Sequence, residues 1–347
     1  MIVQNSWYLA AWSAEVTSTP LARRICNKPV VLYRTLAGRP CALIDSCAHR
    51  GAPLSLGTVT AQGIRCNYHG VVFGCDGRCV SIPNQEMIPE KARVDSFPLL
   101  ERQGMVWIWI GETEKADPAL AIDYPFHDDT ANWPSRQAMA PVASSYLLIA
   151  DNLLDATHLS YVHQQTVGGS SPEVHMKAES SLRPTASGLR LERMMRGAPP
   201  PPAYTACVPF QGAVDRWQEF DFIAPATVLQ YSGAVPAGLD RTTAGAPRFD
   251  MRIFHTATPA TDTTCYYFWS VMNGHETHDP QAIEIIYQQV ASAIVEDKLF
   301  IEQQQERVSE LGEERLFDNA ADGPRIMARR AVRKFDRLQN TTARSAA

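Results

Sequence analysis

Along the first hundred residues the apolar positions come in short β-branched and aromatic runs. Pro29–Arg34 (PVVLYR), Cys41–Asp45 (CALID), Val71–Gly77 (VVFGCDG) and Met105–Gly111 (MVWIWIG) are of strand length. The segments AGR and DGR near these runs are turn-forming. In VWIWI, Trp107 and Trp109 alternate with isoleucine and valine. Both faces of that strand are therefore apolar, as inside a small sandwich. Residues 112–135 are polar and proline-punctuated, which places a domain boundary near residue 118.

Beyond that boundary the period changes. Tyr146–His163 (YLLIADNLLDATHLSYVH) carries helical spacing through Leu147, Leu148, Leu154 and Leu159. Strand-like runs follow between Ser180 and Tyr267: LRLERMM, RWQEFDFI, TVLQYSG and RFDMRIFHTA. Ala198–Ala203 (APPPPA) is expected to be a loop, because successive prolines join neither a helix interior nor a central strand. Pro280–Val308 has an apolar stripe through Ile283, Ile286, Val290, Ile294 and Ile301 and predicts a long amphipathic helix. A last helical segment, from about Arg325 to Leu338, is basic on one face, which reads as a solvated face. No internal repeat is present. The order is a small β domain over 1–118, then helix, broad antiparallel sheet and long helix over 119–347, an α+β arrangement.

The chain has 347 residues, enough for two cores, and a net charge of −5. That balance gives no sign of a nucleic-acid or membrane surface. The N-terminal MIVQNSWYLAAW lacks a basic start and is broken by Asn5 and Ser6, so it is not read as a signal peptide. No apolar run approaches the roughly 20 residues needed to span a bilayer. A soluble cytoplasmic protein is expected. In a reducing compartment, eight cysteines in a chain of this length suggest metal binding more than a disulfide framework. Five of them fall between Cys41 and Cys79. Cys41, Cys75 and Cys79 read as small buried residues.

The remaining two of those five belong to a motif. Cys47 and His49 form C-x-H, and Cys66 and His69 form C-x2-H sixteen residues later. Each arm offers one thiolate and one imidazole. Mixed-ligand zinc is an alternative, but the order differs from a common zinc finger. The set matches Rieske ligation, in which two thiolates hold one iron of a [2Fe–2S] cluster and two imidazoles hold the other. Neutral imidazoles in place of thiolates raise the reduction potential. Gly51 and Gly70 follow the two arms and let the backbone approach closely.

A second constellation lies in DNLLDATHLSYVH, with Asn152, Asp155, His158 and His163. His158 and His163 are five apart, about 140° around an ideal helix, so they converge only if the helix ends or bulges between them. A third ligand is available on the long helix. Asp297 lies on the apolar stripe between Ile294 and Ile301, where a carboxylate is costly unless paired or metal-bound. An internal ion pair is the alternative for Asp297. Glu296 is expected to point to solvent. Two histidines and a carboxylate with open positions suit a mononuclear Fe(II) that uses O2.

With these motifs in view, the sequence resembles the oxygenase components of Rieske non-haem iron oxygenases, nearest the vanillate O-demethylase, toluenesulfonate methyl-monooxygenase and dicamba O-demethylase group. The resemblance runs over nearly the whole chain and includes NSWYLAAW, CAHRGAPLSLG, CNYHG, IPNQ, DNLLDATHLSYVH, YYFWSVMN and VEDK. It implies a Rieske β-sandwich followed by a helix-grip (START-like) catalytic domain, an antiparallel sheet around a long C-terminal helix. It implies Cys47, His49, Cys66 and His69 on the cluster, and His158, His163 and Asp297 on the iron. It also implies a homotrimer in which Asp155 bridges His69 of one subunit and His158 of the next, with Asn152 near the iron.

No G-x-G-x-x-G follows a strand, so no nicotinamide or flavin site is expected. The resemblance supplies electrons from NAD(P)H through a flavin/[2Fe–2S] reductase. The implied reaction is O-demethylation, or methyl hydroxylation, of a substituted aromatic acid such as a vanillate-like compound. Ring cis-dihydroxylation at the same iron is the rival activity, and a purely electron-carrying protein is the rival class. Candidate substrate residues are Gln230, Ser232, His255 and Gln288. His255 departs from the acidic residue of the vanillate enzymes, which puts vanillate itself in doubt.

Overall fold

Three small sheets carry the first part of the chain. They are built from β1 (Ser6–Trp12), β2 (Leu21–Ile25), β3 (Lys28–Arg34), β4 (Pro40–Ile44), β5 (Thr58–Thr60), β6 (Gly63–Arg65), β7 (Val72–Phe73), β8 (Cys79–Ser81), β9 (Leu99–Arg102) and β10 (Met105–Ile110). Their orders are β1-β10-β9, β2-β3-β4 and β5-β6-β7-β8. β1 and β10 are buried on both faces, as VWIWI implied. The computed structural model describes residues 1–168, 172–274 and 280–341. Within them no helix is long and apolar enough to cross a membrane.

The second part holds one seven-stranded sheet. Its strands are β11 (Ser135–Val142), β12 (Glu179–Pro184), β13 (Gly188–Ala198), β14 (Val214–Ile223), β15 (Thr227–Pro236), β16 (Phe249–Thr261) and β17 (Thr264–Asn273), in the order β11-β17-β16-β15-β14-β13-β12. β12 to β17 are neighbours in chain order, and β11 joins at the β17 edge with its residue Ser135 opposite Met272. The helices are α1 (Tyr146–Leu154), α2 (Leu159–Val162), α3 (Pro172–Met176), α4 (Pro202–Thr205), α5 (Pro280–Leu311) and α6 (Gly323–Thr341). α5 packs on β11, β17 and α1. It buries Ile283, Ile286, Val290, Ile294 and Ile301, the stripe expected from the sequence. This is the α+β, helix-grip arrangement.

The two compact units are Met1–Tyr124 with Thr258–Asp262, and Pro125–Ala257 with Thr263–Ala347. The division falls after Tyr124 rather than near residue 118. Gln103 holds the intervening segment by donating to Asp123 Oδ1 at 2.8 Å and accepting from Tyr124 N at 2.6 Å. Residues 258–262 belong to the first unit because Thr258 Oγ1 donates to Leu9 O, and the Cys26 and Asn27 amides donate to Pro259 O and Ala260 O.

Two local expectations change. The proline run is not all loop: Pro202 opens α4, with Pro201 as its N-cap. A proline is tolerated at a first helical position because its missing N–H would be unpaired there. Cys41 and Cys75 form a disulfide, with Cα atoms 5.4 Å apart, rather than standing as separate buried residues. The sequence separates them by 34 positions, and only the fold brings β4 beside the turn after β7.

Candidate metal centres and their cavity

Both arms of the Cys/His motif are closed by the same pair of backbone hydrogen bonds. Gly51 N donates to Cys47 O and Cys47 N donates to Ala52 O. Gly70 N donates to Cys66 O and Cys66 N donates to Val71 O. All four are 2.8 Å. Gly51 and Gly70 sit at φ +72° and +77°, a conformation most side chains avoid. At Gly51 this backbone angle, rather than the close approach expected, demands glycine: a Cβ there would meet nothing nearer than Ser46 Oγ at 3.8 Å.

The two loops sort their side chains by type. Cys47 and Cys66 are buried in the core of the first unit. Burial, with the Cys66 thiol alongside, pushes the Cys47 thiol up. His49 and His69 are exposed and pack edge to face with ring centroids 4.5 Å apart. Thiols thus pair with each other, and so do imidazoles.

The second centre forms where helix α1 stops. Asp155 caps its C-terminus in extended conformation (φ −98°, ψ 108°), and α2 begins after His158. This break brings His158 and His163 together, as their five-residue spacing required, with ring centroids 5.1 Å apart. Asp297 reaches the same point from α5. Its Oδ1 lies 3.4 Å from His158 Nε2 and 3.0 Å from His163 Nε2. Among the described residues, these three are the one set of His, Cys, Asp or Glu whose donor atoms all fall within 4.8 Å of one another. Asn152 Nδ2 donates to Asp297 Oδ1 at 3.0 Å and fixes the carboxylate from α1. Burial raises the Asp297 carboxyl, but the hydrogen bonds from His158 and His163 outweigh it and hold its pKa at about 2.

Glu296 corrects the sequence reading. Its side chain is 38% exposed but does not stand free in solvent: its Oε2 lies 2.6 Å from His163 Nδ1 and also accepts from Thr166 Oγ1. Burial lowers the His163 pKa, and Asp297 and Glu296 more than offset that, so it is raised overall. Asp155 has its Oδ1 taken by Thr157 N at 2.7 Å and Thr157 Oγ1 at 2.6 Å.

A cavity opens from Asp297, His158 and His163 between α5 and the inner face of the sheet, and Asn152 and Asp155 also line it. Its apolar walls include Phe220, Met251, Ile253, Val290 and Ile294. Of the four substrate candidates, Gln230 and His255 line it. His255 Nδ1 meets Tyr267 Oη at 2.7 Å and its Nε2 meets Gln230 Oε1 at 3.2 Å. Burial pushes the His255 pKa down to about 3, so the ring is neutral. Ser232 is buried without lining the cavity and accepts from Gln230 Nε2 at 2.9 Å. Gln288 faces solvent and donates to Glu284 on the helix surface. It lies two positions before Val290, about 200° around the helix from the cavity face. Tyr204, Gln218 and Tyr267 line the cavity and were not singled out from the sequence. For Gln218 the available signal was a glutamine alternating with Phe220 and Phe222 in RWQEFDF.

The profile of the vanillate O-demethylase oxygenase C-terminal domain matches residues 142–337, and that of the Rieske [2Fe-2S] domain matches residues 6–98. The chain is 35% identical over 326 residues to the toluene-4-sulfonate monooxygenase system iron-sulfur subunit of Comamonas testosteroni, covering 93% of each chain. It is 33% identical to the vanillate O-demethylase oxygenase subunit of Pseudomonas sp. strain HR199, over 96% of this chain and 94% of that one. Dicamba monooxygenase has a similar structure. Bound to 3,6-dichlorosalicylic acid it superposes with TM-score 0.90 at 28% identity, over 98% of this chain and 99% of that one. Its structure with non-heme iron and dicamba gives 0.83 at 27%, with the same coverage.

Proposed function

The chain belongs to the vanillate O-demethylase oxygenase family of Rieske proteins, and from that premise we propose that it oxidises the methyl group of a substituted aromatic acid. It is an oxygenase component, and like its relatives it is one part of a multicomponent system. In this reading NAD(P)H acts through a separate reductase with flavin and [2Fe–2S] centres, and the enzyme works in the cytoplasm. For a methoxy substituent, one oxygen atom of O2 enters the methyl C–H bond, and the hemiacetal breaks to a phenol and formaldehyde. The second oxygen leaves as water. For a methyl substituent the product is a benzylic alcohol. Ring dihydroxylation is set aside because the full-length relatives are monooxygenases and demethylases.

Cys47, Cys66, His49 and His69 would hold the Rieske cluster. Their separation into a buried thiol pair and an exposed imidazole pair suits two irons. A single zinc would draw all four donors to about 2.0–2.3 Å from one centre. His158, His163 and Asp297 would hold Fe(II), a two-histidine, one-carboxylate set that leaves positions open. When bound, these groups supply single electrons and the activation of O2.

The chain's own residues prepare the site. Asn152 holds Asp297 Oδ1. Glu296 accepts the Nδ1–H of His163, which fixes the tautomer and aims Nε2 at the ligand set. Thr157 fixes one oxygen of Asp155 and leaves the other for an imidazole. Asp155 is assigned to the link between subunits of a homotrimer, joining His158 of one to His69 of the next. The apolar wall excludes water, while neutral His255, held between Tyr267 and Gln230, orients a polar substituent.

The observation that carries this reading is the convergence of His158, His163 and Asp297 at the cavity. Iron analysis tests it. About three irons and two labile sulfides per chain are expected. Two irons would leave an electron carrier with no site for oxygen chemistry.

A further inference from the structure

The inner face of the sheet carries two buried guanidinium groups with no ion pair. On β14 the inward positions alternate through Arg216, Gln218 and Phe220. Arg216 is 2% exposed. Its Nε and Nη2 are buried without a hydrogen-bond partner, and it lies over the Tyr204 ring at 5.4 Å. Arg193, on β13, sits opposite Gln218 in the ladder and is 7% exposed. Its Nη1 donates to Gln218 Oε1 at 2.9 Å and its Nη2 donates to His175 O at 2.7 Å. No carboxylate among the described residues pairs with either arginine. A buried cation left this way is costly unless an anion arrives.

Each arginine reaches the cavity through one residue that lines it. Arg193 grips the oxygen of Gln218, which turns the amide N–H groups of Gln218 away from itself. Arg216 lies over the ring of Tyr204 at 5.4 Å. Gln218 and Tyr204 both line the cavity. The other polar wall carries no charge, because both nitrogens of His255 are taken and burial keeps the ring neutral. Asp297 and Asp155 also line the cavity, and Asp155 lies near enough to Arg193 to act on it electrostatically.

Building on the oxygenase reading, we propose that the acid group of the substrate, a carboxylate or sulfonate, is received by Gln218 N–H and Tyr204 O–H, with Arg193 and Arg216 as positioning residues that supply the positive field behind them. The acid end is drawn to this wall rather than to the apolar walls of Phe220, Met251, Ile253, Val290 and Ile294. An aromatic acid therefore enters in one sense, with its methyl-bearing end toward the histidines. Arg216 acts through Tyr204 and Arg193 through Gln218, so neither touches the ligand.

Calorimetric titration of the iron-loaded protein without reductase tests this with two matched pairs: 4-methylbenzoate against 4-methylbenzamide, and toluene-4-sulfonate against toluene-4-sulfonamide. In the unmodified protein each acid is expected to bind at least about tenfold tighter than its amide, the scale of one hydrogen bond to a charged group. Tyr204→Phe and Gln218→Leu should each remove most of that preference while leaving amide binding within about twofold. Arg216→Met should do the same, and Arg216→Lys should restore part of it. If Arg216→Met does not fold, the first two variants carry the test. Equal binding of acid and amide, binding of neither, or a preference that survives both Tyr204→Phe and Gln218→Leu overturns the assignment. Turnover of methyl-bearing amides but not acids would sink this inference and leave the oxygenase reading standing. Loss of all turnover with the acid preference intact would do the reverse.

Discussion

Glu296 Oε2 stands 2.6 Å from His163 Nδ1, while the next residue, Asp297, meets Nε2 of the same ring at 3.0 Å. Two consecutive helix residues thus hold both nitrogens of one imidazole. Neighbours on a helix differ by about 100° in direction, so the two carboxylates reach opposite edges of the ring. Glu296→Ala is expected to weaken iron binding or activity about 10- to 100-fold, the usual penalty for losing such a partner. A metal titration of the variant checks it, and unchanged affinity would remove Glu296 from the site.

Asp297→Ala should remove the mononuclear iron and spare the cluster. Iron content would fall from about three per chain to about two, with the visible absorption of the cluster unchanged. Full retention of iron would mean that the histidines find their carboxylate elsewhere, with Glu296 the nearest replacement.

Asp155→Asn should separate assembly of the centres from turnover. The variant is expected to keep its cluster spectrum and its iron but lose most activity, because an amide is a poor substitute for a carboxylate between two imidazoles. Normal turnover in that variant would rule out Asp155 as the link between centres.

The buried neutral His255 should make stability depend on pH. Its folded pKa, about 3, lies below the ordinary histidine value of about 6.5. As pH falls below 6.5, the unfolded chain takes up a proton that the folded one refuses. The stabilisation is complete above pH 6.5 and is lost progressively toward pH 3, at up to about 1.4 kcal/mol per pH unit. Denaturant unfolding between pH 7 and 5 should show this slope, and His255→Gln should flatten it. An identical slope in both proteins would mean that His255 is protonated in the fold.

What could be read from the sequence was what is local. Each Cys/His arm closes on itself within five or six residues through Gly51 or Gly70, so the motif contains its own geometry. Asp297 was legible because the stripe from Ile283 to Ile301 fixes the buried face of α5. Glu296 was not. Its partner His163 lies 133 positions away, and a wheel projection shows where a side chain starts but not where a glutamate bends. Gln288 was misplaced for the converse reason: its polar character suggested a binding role, while its angle on α5 turns it to solvent. Gln218 and Tyr204 depend on sheet register and on the path after the proline run, both set by distant pairings. The same holds for the Cys41–Cys75 contact.

Turnover is the most direct measurement. The iron-loaded protein would be given NADH, a reductase from the same family and a panel of methoxy- and methyl-substituted benzoates and benzenesulfonates. Formaldehyde together with an equal amount of a phenolic acid, or a benzylic alcohol from a methyl substrate, is the expected result. A cis-diol, or no product across the panel from protein holding its full iron, would contradict methyl oxidation of an aromatic acid.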